Sequence, residues 1–143
     1  MPPSLRKHDA GMIAVDTNIV VRYLTGDHPK QSNRARALMG ANDVFLSRTV
    51  VLECEWVLRS VYGYSPLEVC KALRAFAGLP RVSVEDLGMV AQALDLAENG
   101  VDFADALHLA AAGTCDNFVT FDQTFVKRAK QAGLSKVYHV SAK

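Results

Sequence analysis

The sequence predicts an α/β fold with a mainly parallel sheet covered by helices on both faces, and three observations predict it. Brief apolar runs alternate with longer segments of helical periodicity along the whole chain. Glycine, proline, serine and asparagine stand at the joints between them. The length of 143 residues suits one domain with a real core.

Taken in order, Met12-Ile13-Ala14-Val15 is an apolar run ending abruptly at Asp16, as a buried strand does. A helix over 18–24 follows, broken by Gly26 and Asp27. Pro29 suits the first position of a polar helix over 30–39, closed by Gly40. Val44-Phe45-Leu46 is a second strand, and Ser47 caps a long helix over 48–62, stopped by Gly63. Ser65-Pro66 opens a helix to Ala77, with Gly78 behind it and Pro80 beyond. A third strand is expected over 81–84, then helices over 85–99 and 103–113. A strand over 117–121, a helix over 123–132 stopped by Gly133, and a strand over 136–140 complete the chain. There are no internal repeats and no linker, so 12–143 reads as a single domain. Residues 1–11 hold Arg6 and Lys7 but no apolar stretch after them. They read as a disordered extension or a tag rather than a secretory signal, and Met12 could serve as a start.

Half of the residues are apolar and 22% are charged, the balance of an ordinary globular protein. No apolar run reaches the roughly 20 residues of a membrane helix. Cys54, Cys70 and Cys115 are odd in number, far apart and without a C-x-x-C. The expectation is buried free thiols in a reducing cytoplasm, with neither a zinc knuckle nor a disulfide framework.

In open parallel sheets, ligands bind at the carboxyl ends of the strands. Asp16 and Asp122 both hold that position, and each could equally be a helix N-cap. Asp105 lies in Val101-Asp102-Phe103-Ala104-Asp105-Ala106, on a helix too apolar to be exposed, where a lone carboxylate is costly. Asp102, three residues earlier, is well placed to cap that helix, which leaves Asp105 the stronger ligand candidate. On the helix over 48–62, Val50, Cys54, Val57, Leu58 and Val61 define one apolar face. By that phase Glu53 borders the face, while Glu55 falls on the other flank as a solvated i, i+4 pair with Arg59. Leu52 and Trp56 lie opposite it, fit for a second core layer, a dimer contact or a partner's groove.

Carboxylates brought together repel unless a hard cation neutralises them, and oxygen-only donors suit Mg2+, with Mn2+ as a substitute. Outside Asp16, Glu53, Asp102, Asp105 and Asp122, the chain has 16 basic residues against 10 acidic ones. An acidic pocket in a basic body is the charge arrangement of a nuclease. Arg22, Arg34, Arg36, Arg48, Lys127, Arg128 and Lys130 are candidate phosphate contacts, or plain solvated surface.

Val15-Asp16-Thr17-Asn18, Leu52-Glu53-Cys54-Glu55-Trp56-Val57-Leu58, Asp102-Phe103-Ala104-Asp105-Ala106 and Thr120-Phe121-Asp122 together resemble the PIN-domain ribonucleases. The branch they are most similar to is the VapC-type toxins of bacterial toxin–antitoxin pairs. The resemblance implies a three-layer α/β/α domain and a magnesium-dependent endoribonuclease whose acids are Asp16, Glu53, Asp105 and Asp122. Asp102 would be a fifth, and Thr17, Asn18 and Thr120 would support them by hydrogen bonding. It also implies transfer or ribosomal RNA as substrate, a homodimer, and a small antitoxin protein as partner.

Two other readings stand beside it. A phosphatase-like phosphotransfer domain also starts from a strand-end aspartate, but needs a second aspartate where this chain has Asn18. A PIN-like module could instead hold RNA or protein without cutting. His108 is expected to pack or hydrogen-bond on its helix rather than act as a base.

Overall fold

The computed structural model describes residues 11–142. Apart from an exposed Gly11, the extension expected over 1–11 lies outside them. The chain divides after Leu87 into two compact units.

The first unit runs β1 (Met12–Ala14), α1 (Thr17–Thr25), α2 (Pro29–Ala41), β2 (Asp43–Leu46), α3 (Arg48–Ser60), α4 (Pro66–Ala77) and β3 (Val82–Val84). Its strands form one parallel sheet in the order β1-β2-β3, with Ile13 opposite Val44 and Phe45 opposite Ser83. Parallel neighbours require a crossover, and each crossover here is a pair of helices. Val20, Val44, Leu46, Val51, Leu58, Val69 and Phe76 are fully buried between these layers. Each such side chain contributes about 1.5–3 kcal/mol. The Tyr23 ring meets Phe76 edge-on at 5.5 Å and ties α1 to α4.

The second unit holds most of α5 (Leu87–Glu98), then α6 (Phe103–Ala111), β4 (Phe118–Thr120), α7 (Gln123–Gln131) and β5 (Val137–His139). β4 and β5 form a separate parallel ladder, crossed over by α7, whose Phe125 packs edge-on against Phe118 at 5.5 Å. The α/β class with parallel strands is as expected, and each expected element is present.

Boundaries differ where a side chain found distant work. α5 begins at Leu87 rather than Glu85, because the Glu85 carboxylate accepts the Arg48 backbone N–H at 2.9 Å and pairs with its guanidinium. Asp86 follows with φ +49, a backbone that no helix contains. Ser47 caps α3, and Ser65 with Glu68 closes a full capping box on α4. Cys54 and Cys70 are buried free thiols, but Cys115, in the turn after α6, is exposed.

The buried line of α3 also differs from expectation. It is Val51, Cys54, Glu55 and Leu58, while Val50 and Val57 are half-buried and Val61 is 66% exposed. Glu55, expected on a solvated flank, is only 6% exposed and is ion-paired with Arg59 at 2.9 Å. The helix is turned by about one residue from the phase its apolar residues suggest, because the pairing allows a carboxylate to occupy the buried line. Glu53 consequently lies about 150° from that line and is exposed rather than bordering the core. Trp56, 54% exposed, shares its outward side.

Candidate active site

In the first unit, Asp16 ends the β1 run and N-caps α1, its Oδ1 accepting the Asn18 backbone N–H at 3.1 Å. Thr17, 6% exposed, donates its hydroxyl to Oε1 of Glu53, joining the first turn of α1 to α3. Beside Glu53, the buried Cys54 thiol is pushed up to about 12, first by burial and then by the negative charges of Glu53 and Asp16. A hydrogen bond with Thr17 opposes that rise. Asp16, Thr17 and Glu53 are thus brought together around one buried thiol.

In the second unit, Asp102 N-caps α6, its Oδ2 accepting the Asp105 N–H at 3.2 Å. Asp122 N-caps α7, its Oδ1 accepting the Phe125 N–H at 3.1 Å, and its own N–H bonds to Thr120 Oγ1 at 3.0 Å. The Asp105 carboxyl is raised above its ordinary value, first by burial, then by the charges of Asp102 and Asp122. His108, which is exposed, opposes that rise.

The capping alternative is therefore realised at Asp16, Asp102 and Asp122, yet it does not exclude a second role. A cap occupies one carboxylate oxygen, and the other remains for a ligand. Asp105 and Glu53 cap nothing. Of the residues expected to give support, Thr17 and Thr120 use their hydroxyls and Asn18 its backbone N–H.

The basic candidates separate into two kinds. Arg22 bonds to Asp27, Gln31 and Tyr62, and Tyr62 and Thr25 also donate to Asp27, which is lowered to about 2. Arg48 pairs with Glu85 and Asp86. Arg34, Arg36, Lys127, Arg128 and Lys130 are exposed. For Arg22 the signal was present nearby, as an aspartate five residues on that follows a helix-ending glycine, whereas the partners of Arg48 lie far along the chain.

All candidate donors are carboxylate oxygens, the chemistry a hard divalent cation requires. Among the described residues, no three His, Cys, Asp or Glu side chains already form a group that could hold an ion. Burial is the larger cause of the rise at Asp105, and the charges of Asp102 and Asp122 that add to it are a repulsion that a cation would relieve. No helix among the described residues is long and apolar enough to cross a membrane.

No curated protein matches the chain. Comparison with protein families matches the PIN domain over residues 13–131, a stretch that contains all five candidate acids. PIN domains are generally nucleases, act on RNA and typically use divalent metal ions. With most of its length matched and both acidic groups inside the match, this chain belongs to the PIN domain family.

Proposed function

We propose that the protein is a Mg2+- or Mn2+-dependent endoribonuclease and the toxin of a type II toxin–antitoxin pair. Asp16, Glu53, Asp105 and Asp122 would act together to hold the cation, with Asp102 as a fifth acid. The observation that supports this best is Asp105: a partly buried carboxyl, crowded by two others, inside a matched nuclease family.

A divalent cation supplies charge neutralisation, polarisation of the phosphodiester and activation of water. The chain's own residues supply positioning. Thr17 holds Glu53 by its hydroxyl, and Thr120 holds the backbone of Asp122. The α1 and α7 caps orient Asp16 and Asp122 through one oxygen each. Fixing the carboxylates beforehand reduces the reorganisation needed when substrate arrives.

The test is cleavage of total cellular RNA with Mg2+ or Mn2+, with the new ends mapped, against the same reaction in excess EDTA. Loss of cutting in EDTA is expected, and undiminished cutting would remove the metal mechanism. RNA retained but never cut under any metal would favour the non-cleaving module.

The toxin assignment rests on the resemblance to VapC-type proteins, which brings a homodimer and a small antitoxin with it. Exposed Trp56 on α3 suits such contacts. Co-purification with the product of the adjacent short reading frame and sedimentation as a dimer are expected. A monomer at every accessible concentration removes the dimer, and no co-purification removes the antitoxin.

A further inference from the structure

Charge in the second unit is divided along the chain. Residues 88–122 hold six Asp and Glu and no Lys or Arg, whereas residues 123–143 hold five Lys and Arg and no Asp or Glu. The change falls at Asp122, where α7 begins. Lys127 and Lys130 are exposed on the side of α7 away from buried Phe125 and Ala129, and Arg128 is exposed on its flank. Arg128 also reaches back toward the acidic stretch: a Cβ added to Gly100 would stand 3.9 Å from its Nη1, two residues before Asp102.

Phe121 stands at the junction. The rings of Phe118 and Phe125 pack on each other, but Phe121 is 69% exposed, directly before Asp122. A large exposed aromatic followed along the chain by exposed cations is an arrangement that single-stranded nucleic acid uses, because every base has a face to stack and every linkage a charge to neutralise. Paired bases hide those faces, so a stacking ring selects unpaired nucleotides. Acids over 88–122 repel the same phosphates, which leaves α7 as the favourable path within this unit. The three cations lie roughly 6–11 Å along the axis from the start of α7.

We propose that Phe121 and the Lys127–Lys130 side of α7 form a subsite for unpaired RNA, in which the Phe121 ring stacks on a nucleobase while Lys127 and Lys130 contact phosphates of that strand. This rests on the nuclease reading and adds how its substrate is held. The charge of the strip favours RNA over a protein partner for the same ring.

The experiment measures binding of a fluorescein-labelled, mixed-sequence single-stranded oligoribonucleotide to the full chain in EDTA, so that binding is read without cutting. Phe121→Ala should weaken binding by about tenfold to a hundredfold, and Phe121→Tyr should restore it. The double variant Lys127→Gln, Lys130→Gln should reduce the slope of log affinity against log salt by about 1.4. Thermal melting of each variant checks that the fold is kept. An unchanged affinity for Phe121→Ala overturns the stacking, and an unchanged salt slope overturns the phosphate contacts. If Phe121→Ala changes sedimentation of the full chain but not RNA affinity, the ring meets protein and the proposal falls. Wild-type protein that binds as expected but never cuts with Mg2+ or Mn2+ would overturn the nuclease reading and leave the subsite standing. Normal cutting with unaltered Phe121→Ala binding would do the reverse.

Discussion

The Thr17 hydroxyl donates to the Glu53 carboxylate across 36 positions of sequence, from the first turn of one helix to the exposed side of another. Thr17→Val keeps the shape and removes the donor. It should cost about 1 kcal/mol of stability and reduce metal-dependent cleavage, while Thr17→Ser restores both. Metal titrations of single-turnover cleavage, with thermal melts, decide this; an unaffected Thr17→Val would mean the bond does not position Glu53.

The two glutamates of α3 should separate cleanly. Glu53 is exposed, so Glu53→Gln should leave stability within about 0.5 kcal/mol and reduce cleavage by orders of magnitude. Glu55 is buried against Arg59, so Glu55→Gln should destabilise by about 1–3 kcal/mol with the rate of the folded enzyme within a few-fold. A dead but stable Glu55→Gln enzyme would reverse the assignment.

Asp105 gives a pH signature. Its folded pKa is raised, so the folded state binds more protons than the unfolded state just above the ordinary carboxylate value of about 3.9. The metal-free protein therefore loses stability as pH rises through that window, and the penalty persists above it. Asp105→Asn should raise the melting temperature at neutral pH without metal, have little effect well below pH 4, and abolish cleavage. Equal melting curves at pH 7 would show that the carboxyl is not held above its ordinary value.

Asp27 should behave oppositely. Tyr62, then Thr25 and Arg22, hold its carboxyl at about 2, so its contribution is present above the unfolded pKa and is lost as pH falls toward 2. Tyr62→Phe removes the largest of these causes. The variant should melt lower than wild type at neutral pH and lose less stability between about pH 4 and 2. Parallel pH profiles for the two proteins would dissociate Tyr62 from Asp27.

What could be read from the sequence was whatever local chemistry determines. Ser47, Ser65, Pro29 and the glycines mark helix ends through bonds made within a turn, and the structure keeps them within a few residues. The acids stood out because a carboxylate at a strand end, or among alanines, needs a reason. Long-range partners were not legible. Glu85 leaves its helix to serve Arg48, 37 positions away, and Glu55 enters the buried line of α3, where apolar periodicity alone puts no charge. The Thr17–Glu53 bond is of the same kind: each residue was singled out, but not their pairing.

The capping aspartates set different substitution rules at different positions. Asp16 and Asp122 start helices, and Ser, Thr or Asn would start them nearly as well. A library screened only for soluble expression should therefore drift freely among those four residues there. A library screened for RNA cleavage should retain aspartate alone, and sequencing the two pools side by side would separate what the helices require from what the chemistry requires.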